Sequence, residues 1–210
     1  MKIKAIIFDF DGTIVDTNFY HLKSFEKTFK KFNLKISIKE VKNRLGMPAE
    51  KILEELINDK KLIKKIIKEK EKEFEKTVKL KEVKGIRKFL KFLKNKKITT
   101  IILSSSRKKL ILKTLKKLKL IKYFDFIFAK EDLKYHKPNP KSILEVLRKI
   151  KGKRENVVFI GDSYIDAITA KKAKINFIAI KTKYFSAKKL KMLGAKFVGN
   201  YNEIKNFLEV

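Results

Sequence analysis

Residues 2–13 read KIKAIIFDFDGT, and this stretch decides the fold. Polar and apolar residues alternate at its start, and an apolar run follows up to Phe8. This pattern is typical of a strand buried in a sheet. Asp9 and Asp11 follow at once, and Gly12 lets the chain turn sharply behind them. The stretch therefore predicts a buried strand that ends in acidic side chains.

Strands and helices alternate again beyond about residue 83. Apolar runs rich in β-branched residues indicate strands, and helical periodicity separates them. The predicted strands are Ile98–Leu103, Phe124–Ala129, Asn156–Ile160 and Asn176–Ile180, with Phe197–Val198 as a last edge strand. This alternation predicts an α/β fold with a doubly wound, Rossmann-like parallel sheet.

The segment between the first two strands has a different pattern. Phe19, Phe25, Phe29 and Phe32 recur at helical spacing, and no strand-like run interrupts them. The sequence therefore predicts a small α-helical insertion at 17–80. The predicted core domain comprises 1–16 and 81–210.

Polar side chains follow each predicted strand at its carboxyl end, where open parallel sheets place their sites. They are Asp9 and Asp11 after the first strand, Ser104, Ser105, Ser106 and Arg107 after the second, Lys137 beyond the third, and Asp162 and Asp166 after the fourth. We expect these groups to converge on one edge of the sheet.

Four carboxylates without any cysteine favour a hard cation with oxygen ligands, and Mg²⁺ fits best. Asp9 and Asp11 lie two residues apart, directly after the predicted strand. One of them can then bind the metal and attack phosphorus while the other contacts the leaving group. Lys137 and the dication would offset the charge of the phosphate and of the transition state.

Composition limits the remaining classes of protein. The chain has 210 residues, 44% of them hydrophobic, which is ordinary for a globular protein. The absence of cysteine predicts a reducing, cytoplasmic setting. The first apolar run is interrupted too early for a signal peptide, and no run is long enough to span a membrane.

The formal net charge of +32 raises the alternative of a nucleic-acid partner. Lysine supplies most of this charge and is spread along the chain, whereas arginine is the usual reader of bases and phosphates. A lysine-rich surface typical of hot habitats explains the charge without such a partner. Nucleic acid is therefore disfavoured as the physiological ligand.

Four motifs now indicate a family: DFDGT at 9–13, SSSR at 104–107, KPNP at 137–140 and GDSYID at 161–166. Their order and placement resemble those of the haloacid dehalogenase superfamily, in the branch that contains phosphoglycolate phosphatase and β-phosphoglucomutase. The resemblance covers residues 3 to about 183. The insertion resembles the helical cap domain that this superfamily carries between its first two motifs.

The resemblance implies a role for each motif residue. Asp9 would be the nucleophile and a metal ligand, and Asp11 the general acid and base, with its backbone carbonyl on Mg²⁺. Ser104 would hydrogen-bond the phosphoryl group, and Lys137 would hold both the phosphate and Asp9. Asp162 would bind the metal, and Asp166 would act from the outer shell or orient Lys137. Ser105 is an alternative phosphate contact.

Three further residues are candidate substrate contacts with an equally plain structural explanation. Arg44, near Gly46, resembles part of a cap loop that reaches the substrate, and it could equally belong to a turn between helices. Arg107 could bind phosphate or lie in solvent. His21, in the stretch DTNFYH, resembles a histidine between core and cap in several family members, and a packed helix histidine explains it as well.

Three functions remain in competition. The first is hydrolysis of a small phosphorylated metabolite by a Mg²⁺-dependent phosphatase of the phosphoglycolate phosphatase type, through an aspartyl-phosphate. The second is a phosphosugar mutase of the β-phosphoglucomutase type. The third is a basic nucleic-acid-binding module without turnover, which the complete set of motif aspartates disfavours. The sequence fixes neither the substrate nor the oligomeric state.

Overall fold

The computed structural model describes residues 3–209 and contains a six-stranded sheet. All neighbouring strands are parallel, in the order β3-β2-β1-β4-β5-β6. The strands are β1 Ala5–Phe8, β2 Thr99–Leu103, β3 Phe126–Phe128, β4 Val157–Gly161, β5 Asn176–Ile180 and β6 Ala195–Gly199. The predicted α/β fold class is confirmed, and β6 is the expected edge strand.

Ten α-helices accompany these strands within the described residues. They are α1 Asn18–Lys31, α2 Ile38–Arg44, α3 Ala49–Glu54, α4 Lys60–Thr77, α5 Ile86–Asn95, α6 Lys108–Lys117, α7 Lys141–Lys149, α8 Tyr164–Ala173, α9 Ala187–Met192 and α10 Tyr201–Glu209. Across residues 3–209 no helix combines the length and the apolarity that crossing a bilayer requires.

Two apolar layers sandwich the sheet. On one face, side chains such as Ile6 and Phe8 pack with Phe89 of α5 and Ile111 of α6. On the other face, Ile7 and its neighbours pack with α7, α8 and α9. Because β1 is buried on both faces, its sequence is a continuous apolar run rather than an alternating one.

The helical segment, residues 17–80, has a third apolar cluster of its own. Phe25 and Phe29 of α1 meet Val41 of α2, Leu53 of α3 and Ile66 of α4 there. The four phenylalanines at helical spacing lie only partly in this cluster, because Phe19 is 49% exposed. A separate cluster supports the predicted division into two domains, which stays a prediction.

The two connections between the helical segment and the sheet run side by side. Asp16 N donates to Lys81 O at 2.9 Å, and Val83 N donates to Ile14 O at 3.0 Å. These backbone bonds hold the start and the end of the segment together beside the end of β1. The segment is thereby positioned over the carboxyl edge of the sheet.

Candidate active site

The centre of the site is the carboxylate of Asp9, directly after β1. Its backbone N donates to Ile160 O at 2.8 Å, so the sheet ladder fixes the residue. Its Oδ1 accepts from Lys137 Nζ at 2.7 Å, and both side chains are buried. Burial, and next the negative charge of Asp166, raise the pKa of Asp9 to about 7 in spite of Lys137.

Two further carboxylates surround Asp9. Lys137 Nζ also donates to Asp166 Oδ1 at 2.6 Å, and one oxygen each of Asp9, Asp162 and Asp166 lies within 4.8 Å of the others. Burial raises the pKa of Asp162 well above its ordinary value, and the charges of Asp166 and Asp9 add to that effect. When all three carboxylates are ionised, Lys137 balances one of the negative charges, and a dication would balance the other two. The donor set therefore fits a hard cation.

Local structure places the two aspartates that follow β4. Asp162 accepts from Thr13 Oγ1 at 3.2 Å and from Asn18 Nδ2 at 2.7 Å. Asp166 forms a capping box at the start of α8, in which its Oδ2 accepts from Ser163 N and Oγ. Because Asp166 is already engaged by Ser163 and Lys137, its geometry is that of a positioning group.

Gly12 is required by the same crowding. Its φ is +78°, and an added Cβ would lie 2.3 Å from Asn18 Nδ2 and 2.4 Å from Asp162 Oδ2. Any side chain there would displace the ligand set as well as strain the backbone.

Asp11 has hydrogen-bond partners different from those of Asp9. Its carboxylate accepts from Thr17 Oγ1 at 2.6 Å, from His21 Nε2 at 2.9 Å and from Ser106 Oγ at 2.6 Å. Desolvation alone would raise the pKa of Asp11. The electrostatic interaction with His21 and the hydrogen bonds from His21, Ser106 and Thr17 nevertheless lower that pKa below its usual range.

Lys70 is a site residue that the sequence analysis missed. Its Nζ lies 2.9 Å from His21 Nδ1, and it lies over the rings of Phe25 and Phe74 at 5.2 and 5.1 Å. His21 itself stacks on Phe74 with 4.3 Å between ring centroids. Burial lowers the pKa of Lys70 to about 8 and lowers the pKa of His21 as well. With Lys70 charged, Nδ1 of His21 accepts and Nε2 donates to Asp11.

The three serines after β2 do different things. Ser104 is buried, and its Oγ accepts from Ser106 N at 3.0 Å. Ser105 Oγ donates to Gly46 O at 2.7 Å, which joins the core to the helical segment. Ser106, whose hydroxyl contacts Asp11, was named in the sequence only as part of the motif.

A cavity of about 460 Å³ lies between the helical segment and the edge of the sheet. Asp9, Asp11 and Asp162 line it from the core, and His21 and Lys70 line it from the segment. Two ion pairs cross its rim. Arg107 Nε meets Glu71 Oε1 at 3.0 Å, and Lys130 pairs with Glu50.

Arg44 is not among the described residues that line this cavity. Arg44 Nε donates to Glu55 Oε2 at 2.7 Å, and Nη1 donates to Glu40 O at 2.9 Å. These bonds hold the guanidinium between α2 and the end of α3, whereas Leu45, Gly46 and Met47 line the cavity. These contacts match the structural role that the sequence left open, since the carboxylate of Glu55 and the backbone carbonyl of Glu40 both lie within the same helical segment.

Comparison of the amino-acid sequence with known proteins identifies the family of this chain and several relatives. The family model for haloacid dehalogenase-like hydrolases matches residues 6–180. The chain is 36% identical over 184 residues to a protein of Caldanaerobacter subterraneus subsp. tengcongensis that is provisionally named pyrophosphatase PpaX, covering 86% of this chain and 83% of that one. It is 32% identical over 186 residues to the phosphorylated carbohydrates phosphatase of Thermotoga maritima, covering 84% of each.

A solved structure shows the same fold. It is a Bacteroides vulgatus protein provisionally named β-phosphoglucomutase, with a TM-score of 0.88 and 24% identity over 99% of this chain and 88% of that one. The resemblance drawn from the four motifs is confirmed by the family match, and the fold extends over the helical segment as well.

Proposed function

The chain belongs to the haloacid dehalogenase-like hydrolases, and on that premise we propose that it is a Mg²⁺-dependent phosphatase that acts on a small phosphomonoester. One observation carries the proposal: the buried carboxylate of Asp9 touches Lys137 inside a set of three carboxylates, and Asp11 lines the same cavity as Asp9. A nucleophile, its charge-balancing cation and a proton-transfer group are thus within reach of one substrate.

The proposed reaction has two displacement steps. An oxygen of Asp9 attacks phosphorus, the bond from phosphorus to the ester oxygen breaks, and Asp11 delivers a proton to the departing alcohol. A water then attacks the aspartyl-phosphate and gives its proton to Asp11, and the bond between phosphorus and Asp9 breaks to release inorganic phosphate. Bound Mg²⁺ would neutralise charge on the phosphoryl oxygens.

The other site residues support these steps. Asp9 and Asp162, with the backbone carbonyl of Asp11, are the proposed metal ligands. Lys137 holds Asp9 in place and offsets phosphate charge, and Asp166 orients Lys137 through their 2.6 Å contact. Serine hydroxyls after β2, with Ser104 first, are the proposed phosphoryl contacts.

Cavity size and relatives support the substrate class. A volume of about 460 Å³ is that of a small-molecule site. A relative at 32% identity is named a phosphatase of phosphorylated carbohydrates. We therefore propose a phosphorylated small metabolite, and we retain no nucleic-acid partner in the proposal.

The mutase alternative keeps one observation in its favour. His21, which resembles the histidine between core and cap in the mutase branch, is bonded to Asp11. A mutase must preserve its phosphoaspartate, so it releases little phosphate and requires a bisphosphate activator. Steady release of inorganic phosphate without an activator would exclude this alternative.

The decisive variant is Asp9→Asn. An amide cannot attack phosphorus, so we expect phosphate release from p-nitrophenyl phosphate to disappear while the thermal unfolding transition stays cooperative. Acid quenching of wild type during turnover, followed by mass spectrometry, should locate a phosphoryl group on Asp9. Residual turnover above a few per cent of wild type, or phosphorylation elsewhere, would contradict the assignment.

A further inference from the structure

The cavity continues beyond the catalytic carboxylates along α6. Lys109, Lys113 and Thr114 line it there, in addition to the residues around Asp9. Because a helix rises about 1.5 Å per residue, Thr114 lies about 9 Å along the axis from Lys108, where α6 begins. We call this part of the cavity, defined by Lys109, Lys113 and Thr114, the α6 wall.

Positive charge on the α6 wall has no partner. The basic groups at the rim, Arg107 and Lys130, pair with glutamates of the helical segment. Lys109 and Lys113, by contrast, form no ion pair within residues 3–209. They are also one helical turn apart on α6, so their positive charges repel each other. Glu75 is an exposed acid on the opposite side of the cavity and binds neither of them.

The surrounding sequence gives these lysines no relief. Residues 83–124, which include all of α5 and α6, contain no aspartate or glutamate. Elsewhere on the helices lysines pair with acids three or four residues away, as Lys30 does with Glu26 and Lys149 with Glu145. The α6 wall is therefore poised to receive a negative charge from outside the chain.

Thr114 adds an unused hydrogen-bond donor at the same place. Three other helical threonines, Thr28, Thr77 and Thr169, donate to the carbonyl four residues earlier. The Thr114 hydroxyl, in a residue only 1% exposed, forms no hydrogen bond, and it is the one buried side-chain polar atom in residues 3–209 without a partner. Buried polar groups are normally satisfied, so this unmatched hydroxyl, in a residue that lines the cavity, is a candidate contact for a ligand.

We propose that the α6 wall binds a second phosphate group of the substrate, in addition to the phosphoryl group that is transferred. This inference rests on the proposed phosphatase function. Lys109 and Lys113 supply charge-assisted hydrogen bonds to the second phosphate, and Thr114 donates a neutral one. The preferred substrate class is therefore a small metabolite with two phosphate groups, and a sugar bisphosphate of a size suited to the cavity serves as the probe.

The test compares two probes that differ by one phosphate. The ratio of kcat/KM for first phosphate release from fructose 1,6-bisphosphate to that from fructose 6-phosphate should be about ten or more in wild type. Lys109→Ala/Lys113→Ala should bring this ratio to about one, and Thr114→Val should lower it several-fold. Lys117→Ala is the matched control, because it removes an exposed lysine of α6 that lies outside the cavity.

Binding is measured separately from turnover. Calorimetry on Asp9→Asn protein should show tighter binding of fructose 1,6-bisphosphate than of fructose 6-phosphate, and the lysine pair should account for the difference. If wild type releases no phosphate from p-nitrophenyl phosphate, the proposed phosphatase function is refuted. The calorimetric comparison alone then decides whether the α6 wall binds a second phosphate group. An equal affinity for the two probes, or an equal effect of Lys117→Ala, would overturn the inference.

Discussion

Asp9 and Asp11 are two residues apart and have opposite electrostatic surroundings. Asp9 lies among buried carboxylates, and its pKa rises to about 7, whereas Asp11 accepts three hydrogen bonds and its pKa falls. Pairs of acids with separated pKa values are a common basis for divided catalytic roles. In the free protein Asp11 is ionised, so the proton for a leaving group has to be taken up as the phosphate arrives.

We expect Asp11→Asn to slow hydrolysis of alkyl phosphates by roughly 10²–10⁴-fold, which is the usual contribution of a general acid and base. The loss should be much smaller in the phosphorylation step for p-nitrophenyl phosphate, because p-nitrophenolate leaves without a proton. Burst kinetics with both kinds of substrate measure that step directly. Equal losses for good and poor leaving groups would remove Asp11 from the acid role.

Metal removal should make stability depend on pH through Asp9. Its pKa in the folded state, about 7, exceeds the ordinary value of 3.8. The folded protein therefore binds more protons than the unfolded chain between those values, and stability falls as pH rises through that window. We expect urea unfolding in EDTA to show this loss, and excess Mg²⁺ to reverse much of it.

Asp9→Asn is the control for this pH dependence. The difference between wild type and Asp9→Asn isolates the contribution of Asp9 from that of other groups, such as His21, whose pKa is lowered and whose effect has the opposite sign. An unchanged slope in Asp9→Asn would show that the raised pKa belongs to another group of the cluster.

The motif residues could be predicted from the sequence because each lies in a recognisable sequence pattern that follows a predicted strand. Lys70 and Asn18 could not be identified, because a single lysine or asparagine in this composition carries no motif. A signal for Lys70 nevertheless existed. It continues the buried face of α4 marked by Ile63, Ile66 and Ile67, where the helical period calls for an apolar side chain. Charge on a buried face was the clue to a functional contact.

At the scale of elements, the strands were the more predictable part. Asn176–Ile180 matches β5 residue for residue, and the other ends differ by a few residues, since backbone bonding rather than composition ends a strand. The predicted start of the first strand at Lys2 lies outside the described residues. The partners of Arg44, which lie within its own segment, could not be predicted from the sequence because they depend on helix packing.

The helical segment is held over the site by charged contacts, and we expect these to control substrate access. Lys130→Glu places like charges against Glu50 and should raise KM several-fold through a more open arrangement. The swap Lys130→Glu/Glu50→Lys restores the attraction and should recover most of the loss. Steady-state kinetics of the two single variants and the swap measure the coupling.

Arg44→Ala is the matched control for the charge swap, since it breaks an ion pair inside the segment. It should leave KM close to wild type. A swap that behaves as the sum of its single variants would show that the contact does not close the cavity. Such additivity would also weaken the inference that charged contacts hold residues 17–80 over the site.

At the scale of the molecule, composition predicted the excess charge but not its distribution in space. Lysines appear evenly spread along the chain, yet α5 and α6 lie on the same face of the sheet, and 83–124 has no acid to neutralise them. Which face a helix covers depends on the strand order, and local sequence does not encode that order. Two helices without any acidic residue, α5 and α6, therefore share one face of the sheet.

This net charge of +32 should make the protein more stable in salt. Salt weakens the attraction in exposed ion pairs, such as that of Lys51 with Glu54, and each of these contributes only about 0–1 kcal/mol. It also screens the repulsion among unpaired lysines, and the Debye length falls from about 10 Å at 0.1 M to about 3 Å at 1 M. Because repulsion acts between all of the excess charges and the paired attraction is local, screening of repulsion should dominate. We expect Tm in EDTA to rise with NaCl concentration, while the urea m-value stays unchanged. A Tm that falls with NaCl would show instead that the surface is organised into stabilising ion-pair networks.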